Sequence, residues 1–97
     1  MYRYLVVDAM VSGTGIRDQY NSNYLDLESL GLSSVLISKL RKWHTKYKEQ
    51  FYKNYKDKIA IQRLDEEGIE ISKIIISELE DCKVSYFSDA ELTTHII

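Results

Sequence analysis

Residues 31–55 read GLSSVLISKLRKWHTKYKEQFYKNY, and this stretch decides the fold. Its large apolar side chains recur every three or four residues, which is the spacing of one face of an α-helix. They are Leu36, Leu40, Trp43, Tyr47 and Phe51. Ser33 or Ser34 can accept hydrogen bonds from the free amides of the first turn, which predicts where the helix begins. Neither glycine nor proline follows Gly31 in this stretch, so the helix can run for at least about five turns.

A second helix is predicted from about Leu64 to Glu80, whereas the preceding residues 54–63 either continue the first helix or interrupt it. The inward face of the second helix is predicted to carry Leu64, Gly68, Ile71, Ile75 and Leu79. Because a glycine costs about 1 kcal/mol in a helix interior, Gly68 suggests a close approach to the first helix. We expect a core that contains Trp43, Tyr47, Phe51, Ile71, Ile75 and Leu79.

Short stretches at both ends of the chain have the composition of β-strands. Tyr2 to Ala9 contains an unbroken apolar run, which favours a central strand, and Lys83 to Phe87 alternates between apolar and polar residues. Ile16 to Tyr20 could pair with Tyr24 to Leu27 around a turn at residues 21–23. For residues 88–97, a capping-box spacing competes with the strand-forming LTTHII, and we favour the strand. The expected fold class is α+β, with two long packed helices on one face of a small sheet.

The length and composition limit the class of protein. A chain of 97 residues, 44% apolar and 29% charged, is expected to form one globular domain over residues 1–97. The single cysteine, Cys82, fits a reducing compartment. The N-terminus does not resemble a secretory signal, and no apolar window is long enough for a membrane helix. We therefore expect a cytoplasmic protein with no membrane contact.

Charge is segregated along the chain. Residues 39–58 carry a net charge of +6, residues 59–97 carry −6, and the whole chain carries −2. The acids could attract a basic partner, and the candidate partner-binding residues are Asp65, Glu66, Glu67, Glu70, Glu78, Glu80 and Asp81. The competing explanation is that Asp65, Glu66 and Glu67 only complement the dipole of a helix N-terminus.

The basic stretch 39–58 suggests a second function, a small nucleic-acid-binding module. Its lysines at 42, 46, 53 and 56 would contact phosphates, and the tyrosines at 47, 52 and 55 would stack on bases. The acidic net charge of the chain and the place of Tyr47 on the apolar stripe argue against this function. We therefore expect no nucleic-acid partner.

No residue pattern predicts catalysis, a cofactor or a metal site. His44 and His95 are far apart in sequence, and Cys82 has no second ligand at zinc spacing. His44 is expected at the surface and Cys82 as a small buried side chain. The segment Ser12–Gly15 lacks the lysine of a P-loop and the third glycine of a dinucleotide-binding motif, so we interpret it as a turn. The sequence predicts a protein that is not an enzyme.

Two segments together resemble a family of small bacterial proteins. They are GIRDQYNSNYLDLESLGLSSVLISKLRKWHTKY at 15–47 and LDEEGIEISKIIISELEDCKVSYFS at 64–88. The pattern is similar to that of the immunity proteins that protect bacteria from polymorphic toxins, including those of contact-dependent growth inhibition systems. The residues that fit are Leu32, Ser33, Leu36, Leu40, Trp43, Tyr47, Gly68, Leu79, Val84, Tyr86 and Phe87.

The resemblance implies a function but no specific binding residue. It implies an immunity protein that neutralises a cognate toxin, and the acidic surface favours a basic nuclease domain whose active site is occluded. The matching positions mainly determine the fold.

Overall fold

The computed structural model describes residues 3–21 and 23–97, which form a sheet, two long helices and a short 3₁₀ helix. The strands are β1 (Arg3–Val7), β2 (Ile16–Asp18), β3 (Cys82–Ser88) and β4 (Thr93–Ile96), and the helices are α1 (Ser34–Tyr52), α2 (Lys58–Glu78) and the 3₁₀ helix Leu27–Ser29.

The four strands form one mixed sheet in the order β2–β1–β3–β4. The two central strands, β1 and β3, run parallel, with Leu5 opposite Val84, and both outer pairs are antiparallel. The prediction of a central N-terminal strand is therefore confirmed, although Tyr2, its predicted first residue, lies outside the described residues. Residues 93–96 are a strand, as expected for the tail.

Both helices cover the same face of the sheet, as the α+β prediction required. The inward residues of β1 and β3 join the apolar stripes of α1 and α2 in a single hydrophobic cluster. Trp43 lies at its centre with no exposed surface. Its Nε1–H donates to the carbonyl of Leu64, 2.8 Å away, and its ring contacts Tyr47 and Tyr86 edge to face.

The second helix begins earlier than the sequence predicted. Residues 53–57 interrupt the helical path, with Asn54 and Tyr55 at φ of 59° and 53°, and Asp57 then caps α2 by accepting from the amide of Ala60. Because α2 begins at Lys58 and not near Leu64, the acids at 65–67 lie about two turns inside the helix. The dipole of a helix N-terminus therefore does not explain them.

The predicted packing of Phe51 in the core and of Gly68 against α1 is wrong, and the predicted burial of Leu79 is only partly met. Phe51 is 44% exposed, one turn beyond Tyr47, the last buried residue of α1, whereas Leu79 is half-buried against the core. Gly68 does not face α1. A Cβ at Gly68 would collide with the ring of Tyr86, so the glycine permits close contact between α2 and β3.

The long connection between β1 and α1 folds back on the sheet. The predicted pairing of Ile16–Tyr20 with Tyr24–Leu27 is reduced to one bridge, between Arg17 and Tyr24, with two neighbouring backbone hydrogen bonds. The predicted turn at residues 21–23 includes Ser22, which lies outside the described residues. Neither α1 nor α2 has an apolar stretch sufficient to cross a membrane.

We expect Trp43→Ala to lower the free energy of unfolding by about 3–5 kcal/mol, because it empties a central volume and removes the indole donor to the Leu64 carbonyl. The control is Val35→Ala on the same helix, where 78% of the side chain is exposed and we expect a change within about 0.5 kcal/mol. Denaturant melts of both variants measure the difference, and equal midpoints would contradict the assigned core.

Candidate functional site

The seven acids predicted to bind a partner do not form one surface. Asp65 faces the sheet, Glu66 and Glu70 lie on the exposed side of α2, and Glu67 is half-buried beside the lysines of α1. The other three, Glu78, Glu80 and Asp81, lie at the far end of α2 and in the turn to β3, where Arg3 contributes to the same shallow depression. The structure thus divides the predicted site into parts with different roles.

Asp65 is held by hydrogen bonds inside the fold. Its Oδ1 accepts from the hydroxyls of Tyr47 at 2.8 Å and Tyr86 at 2.6 Å, and its Oδ2 accepts from Ser88 at 2.8 Å. Burial raises the pKa of both tyrosines, which keeps their hydroxyls protonated as donors. The Tyr47 oxygen also accepts from the amide of Ala90. Asp65 therefore connects α1, α2 and β3, and its lone pairs are largely occupied.

Glu78 is also engaged within the protein. Its two carboxylate oxygens accept from the backbone amide of Ser33 at 2.7 Å and from the Ser33 hydroxyl at 2.8 Å. The same hydroxyl accepts from the amide of Leu36, as the predicted cap of α1 requires. Glu78 thus ties the end of α2 to the start of α1.

Glu66 and Glu70 are two exposed acids on α2 that make no hydrogen bond to the backbone or to a buried group. They are one turn apart, and both are exposed. Glu66 lies 3.5 Å from the amide nitrogen of Gln62, and Glu70 lies 3.5 Å from Lys73 in an exposed pair of the kind that contributes little to stability. Both carboxylates can therefore meet a partner at small internal cost.

The exposed side of α1 is basic. Lys39, Lys42 and Lys46 line an open groove of about 480 Å³, together with Ser34, Val35, Ser38 and Glu67. This groove follows the boundary between the basic helix and the acidic one. The charge segregation read from the sequence is therefore also a segregation in space.

A polar cluster that the sequence analysis did not predict lies at the carboxyl ends of β1 and β3. Asp8 is only 3% exposed. Its Oδ2 accepts from Arg17 Nε at 2.6 Å, and its Oδ1 accepts from the Tyr24 hydroxyl at 2.6 Å. Asp89, directly after β3, is close enough to be affected by Asp8. The signal that could have revealed this cluster is an acid placed directly after each of two apolar strands.

The environment of Asp89 disfavours its charge. Burial, followed by the negative charge of Asp8, raises the pKa of Asp89 to about 6, although Arg17 acts in the opposite direction. Burial likewise raises the pKa of Tyr24, whose hydroxyl therefore stays protonated while it donates to Asp8.

The residues considered for chemistry have structural roles. His44 is half-buried with Nε2 2.8 Å from the carbonyl oxygen of Met10, and the buried thiol of Cys82 donates to the carbonyl of Leu79. Burial raises the pKa of Cys82, which disfavours a reactive thiolate. Thr14, which belongs to the predicted turn 12–15, donates its hydroxyl to the carbonyl of Leu25 in the connection before α1. In residues 3–21 and 23–97, no three His, Cys, Asp or Glu side chains are grouped as metal ligands.

We expect Asp65→Asn to destabilise the protein by about 2–4 kcal/mol, because an amide cannot accept from three hydroxyl donors and its NH₂ group then faces donors. The control is Glu66→Gln at the next position, which we expect to change the free energy of unfolding by less than about 0.5 kcal/mol. Denaturant melts of both variants test the distinction. A fully stable Asp65→Asn protein would show that the carboxylate is not a structural group.

The raised pKa of Asp89 predicts a pH dependence of stability. In the unfolded chain this carboxyl ionises near its ordinary value of 3.8, whereas in the folded protein it ionises near 6. The folded state therefore binds more protons between these pH values, and stability falls as the pH rises through this window. We expect Asp89→Asn to remove this fall and to stabilise the protein at pH 7 by about 1 kcal/mol, a value reduced for partial solvent screening.

The control for the Asp89 measurement is Asp18→Asn. Backbone amides of Asn21 and Tyr20 lower the pKa of Asp18, so its contribution is lost as the pH falls, opposite in sign to that of Asp89. Thermal melts at several pH values between 4 and 7 compare the two variants with the wild type. If the Asp89→Asn profile were parallel to that of the wild type, the assigned environment of Asp89 would be wrong.

Comparisons with known proteins agree with the resemblance noted in the sequence. Searches of curated proteins and of solved structures give no significant match. The family model described as Serratia CdiI immunity protein-like matches residues 5–89, from β1 to the end of β3. That match includes both helices, the Asp65 network and all seven predicted acids. The chain therefore belongs to the Serratia CdiI immunity protein-like family.

Proposed function

We propose that this chain is a cytoplasmic, non-enzymatic inhibitor that binds the toxin domain of a cognate nuclease and occludes its active site. Membership of an immunity protein family supports the toxin-neutralising part of this function. The basic nuclease, the occlusion and the cytoplasmic location are our extension of it. The observation that supports the nuclease and the occlusion is the pair of exposed carboxylates on α2, Glu66 and Glu70.

Not all of the predicted acids contribute equally to the proposed binding surface. Glu66 and Glu70 point away from the core, and neither is tied to the backbone or to a buried donor. Asp65 and Glu78 are already hydrogen-bonded within the fold, so they would support the surface and not contact the toxin. Glu67 lies at the edge of the lysine groove, and Glu80 and Asp81 lie near Arg3 at the opposite end of α2. We therefore place the steering charge of the interface on Glu66 and Glu70.

Exposed charges of this kind mainly accelerate the encounter of two proteins and contribute less to the lifetime of the complex. We expect Glu66→Lys and Glu70→Lys, singly and together, to slow association with the toxin domain encoded beside this gene. The expected loss in association rate is about 3-fold to 30-fold, and it should diminish at high salt because the attraction is screened. Stopped-flow association at several salt concentrations measures both effects.

The control variant is Glu28→Lys, which makes the same charge change at an exposed position of the 3₁₀ helix, where Glu28 pairs with the exposed Arg41. We expect its association rate to stay within about 2-fold of the wild type, because it lies outside the proposed face. If Glu28→Lys slowed association as much as Glu66→Lys, only the net charge would matter. If none of the variants had an effect, the acidic face would not be the binding surface.

The competing function is a small nucleic-acid-binding module, and the lysine groove of α1 is the observation that favours it. Such a module would bind generic DNA or RNA with an affinity that falls steeply with salt. A salt-titrated binding assay with generic duplex DNA and single-stranded RNA distinguishes it from a toxin inhibitor. Tight RNA binding at physiological ionic strength would replace the proposed function.

A further inference from the structure

The corner between α1 and α2 exposes three large apolar side chains. Phe51 is 44% exposed, Tyr52 69% and Ile59 65%, and all three lie within nine positions of the chain. Phe51 continues the stripe of Leu40, Trp43 and Tyr47, but at this point the helix has passed the end of the core. Isolated apolar residues are common on protein surfaces, whereas a compact group of them is typical of an interaction site.

The exposed rings rest on buried ones. The centroid of Phe51 lies 5.4 Å from that of Tyr52 and 6.0 Å from that of Tyr55, and Tyr55 lies 6.1 Å from the fully buried Tyr47. All these pairs meet edge to face, an arrangement that aromatic rings favour. Phe51 is therefore held against the core through Tyr55, with Tyr52 packed on it, which reduces the entropic cost of binding a partner at these two rings.

The backbone of the corner is held in an uncommon conformation. Asn54 and Tyr55 both adopt left-handed φ values, which a bulky tyrosine rarely does. The amide of Tyr55 donates to the carbonyl of Gln50 at 2.9 Å, and that of Asn54 donates to Phe51 at 3.0 Å. Backbone strain of this kind persists where the surrounding structure enforces it, and it is concentrated at functional sites.

Lysines surround the apolar corner, and acids lie beside it. Lys53, Lys56 and Lys58 are exposed, and in the part of the chain that the structure describes none of them has an ion pair within 4.0 Å. Glu66 and Glu70 follow Ile59 on α2 by seven and eleven residues, a spacing that places all three on one side of the helix. Ile59 is about 10 Å from Glu66 along the helix axis.

We infer that Phe51, Tyr52 and Ile59 are the apolar anchor of the toxin interface and insert into an apolar pocket with an acidic rim. The inference rests on the proposed function and deepens it by assigning the binding energy to the corner and the steering to Glu66 and Glu70. The matching toxin surface carries an acidic rim, an apolar pocket and a basic patch in that order. This order fixes the orientation of the two proteins as well as their affinity.

Two observations favour a protein over a nucleic acid at this corner. An aliphatic side chain such as Ile59 offers no stacking surface to a base, whereas it fills an apolar protein pocket. The exposed charges on this side of α2 alternate in sign, with Arg63 and Lys73 beside Glu66 and Glu70, so no continuous row of cations runs along the helix for a phosphate backbone to follow.

The test measures the kinetics of binding between the full chain and the toxin domain encoded beside its gene. We expect Tyr52→Ala and Ile59→Ser to raise the Kd about 10-fold to 100-fold each, almost entirely through faster dissociation. Both residues are exposed, so thermal melts should show folded proteins. The matched control is Ile96→Ser on β4, where the side chain is 92% exposed and we expect a change of less than about 2-fold.

Reversing the charge of the lysines at the corner tests whether the facing toxin surface is acidic or basic, because the two cases predict opposite changes in the association rate. If the toxin presented a uniformly basic surface, Lys53→Glu and Lys56→Glu would accelerate association. The inferred acidic rim predicts that each slows it, by about 2-fold to 10-fold at low salt.

The outcomes separate the inference from the proposed function. If the wild type neither binds the toxin domain nor protects cells from it, the proposed function fails and the anchor fails with it. If the wild type binds while Tyr52→Ala and Ile59→Ser bind equally well, only the anchor is overturned. Loss of self-association in these variants would assign the corner to a second copy of this chain, and loss of single-stranded RNA binding would assign it to a nucleic acid.

Discussion

The carboxylate of Asp65 is the point on which the arrangement of the layers depends. Withdrawing a carboxylate from water is costly unless donors surround it, and the half-buried Asp65 receives three, the hydroxyls of α1 and β3. Those donors meet only when both helices take one position relative to the sheet. Apolar packing alone tolerates small displacements, whereas this network does not, so it selects one register among several compact arrangements.

The sequence predicted the parts of the fold that local patterns encode. The stripe from Leu36 to Tyr47, the Ser33 cap and the two central strands all follow from spacing or composition. The start of α2 at Lys58 could not be predicted in this way, because no glycine or proline marks the break between the helices. The role of Asp57 as the N-cap was also not predicted. Phe51 shows the limit of periodicity, since a helical stripe indicates which side faces inward but not how far the core extends. Gly68 was placed against the wrong neighbour because its contact is with a strand eighteen residues away.

The candidate site was predicted only at the level of charge. The sequence identified the acids but could not separate Asp65 and Glu78, whose partners are distant in sequence, from the exposed carboxylates of Glu66 and Glu70, whose partners are local. Adjacent positions on one helix therefore serve different purposes: Asp65 stabilises the fold, while Glu66 is available to a partner. The cluster around Asp8 escaped notice for the same reason, because Arg17 and Tyr24 approach it only after the connecting loop folds back.

The parallel pairing of β1 with β3 has a consequence for how the molecule is made. Leu5 lies beside Val84, so the two middle strands of the sheet are far apart in the sequence. During synthesis β1 cannot pair with β3 until the chain has been translated beyond Cys82, where β3 begins. Closing so large a loop is entropically unfavourable and slow, whereas the helical hairpin between the two strands involves only local contacts. The helices can therefore assemble first and offer the early strand a temporary apolar surface before its permanent neighbour arrives.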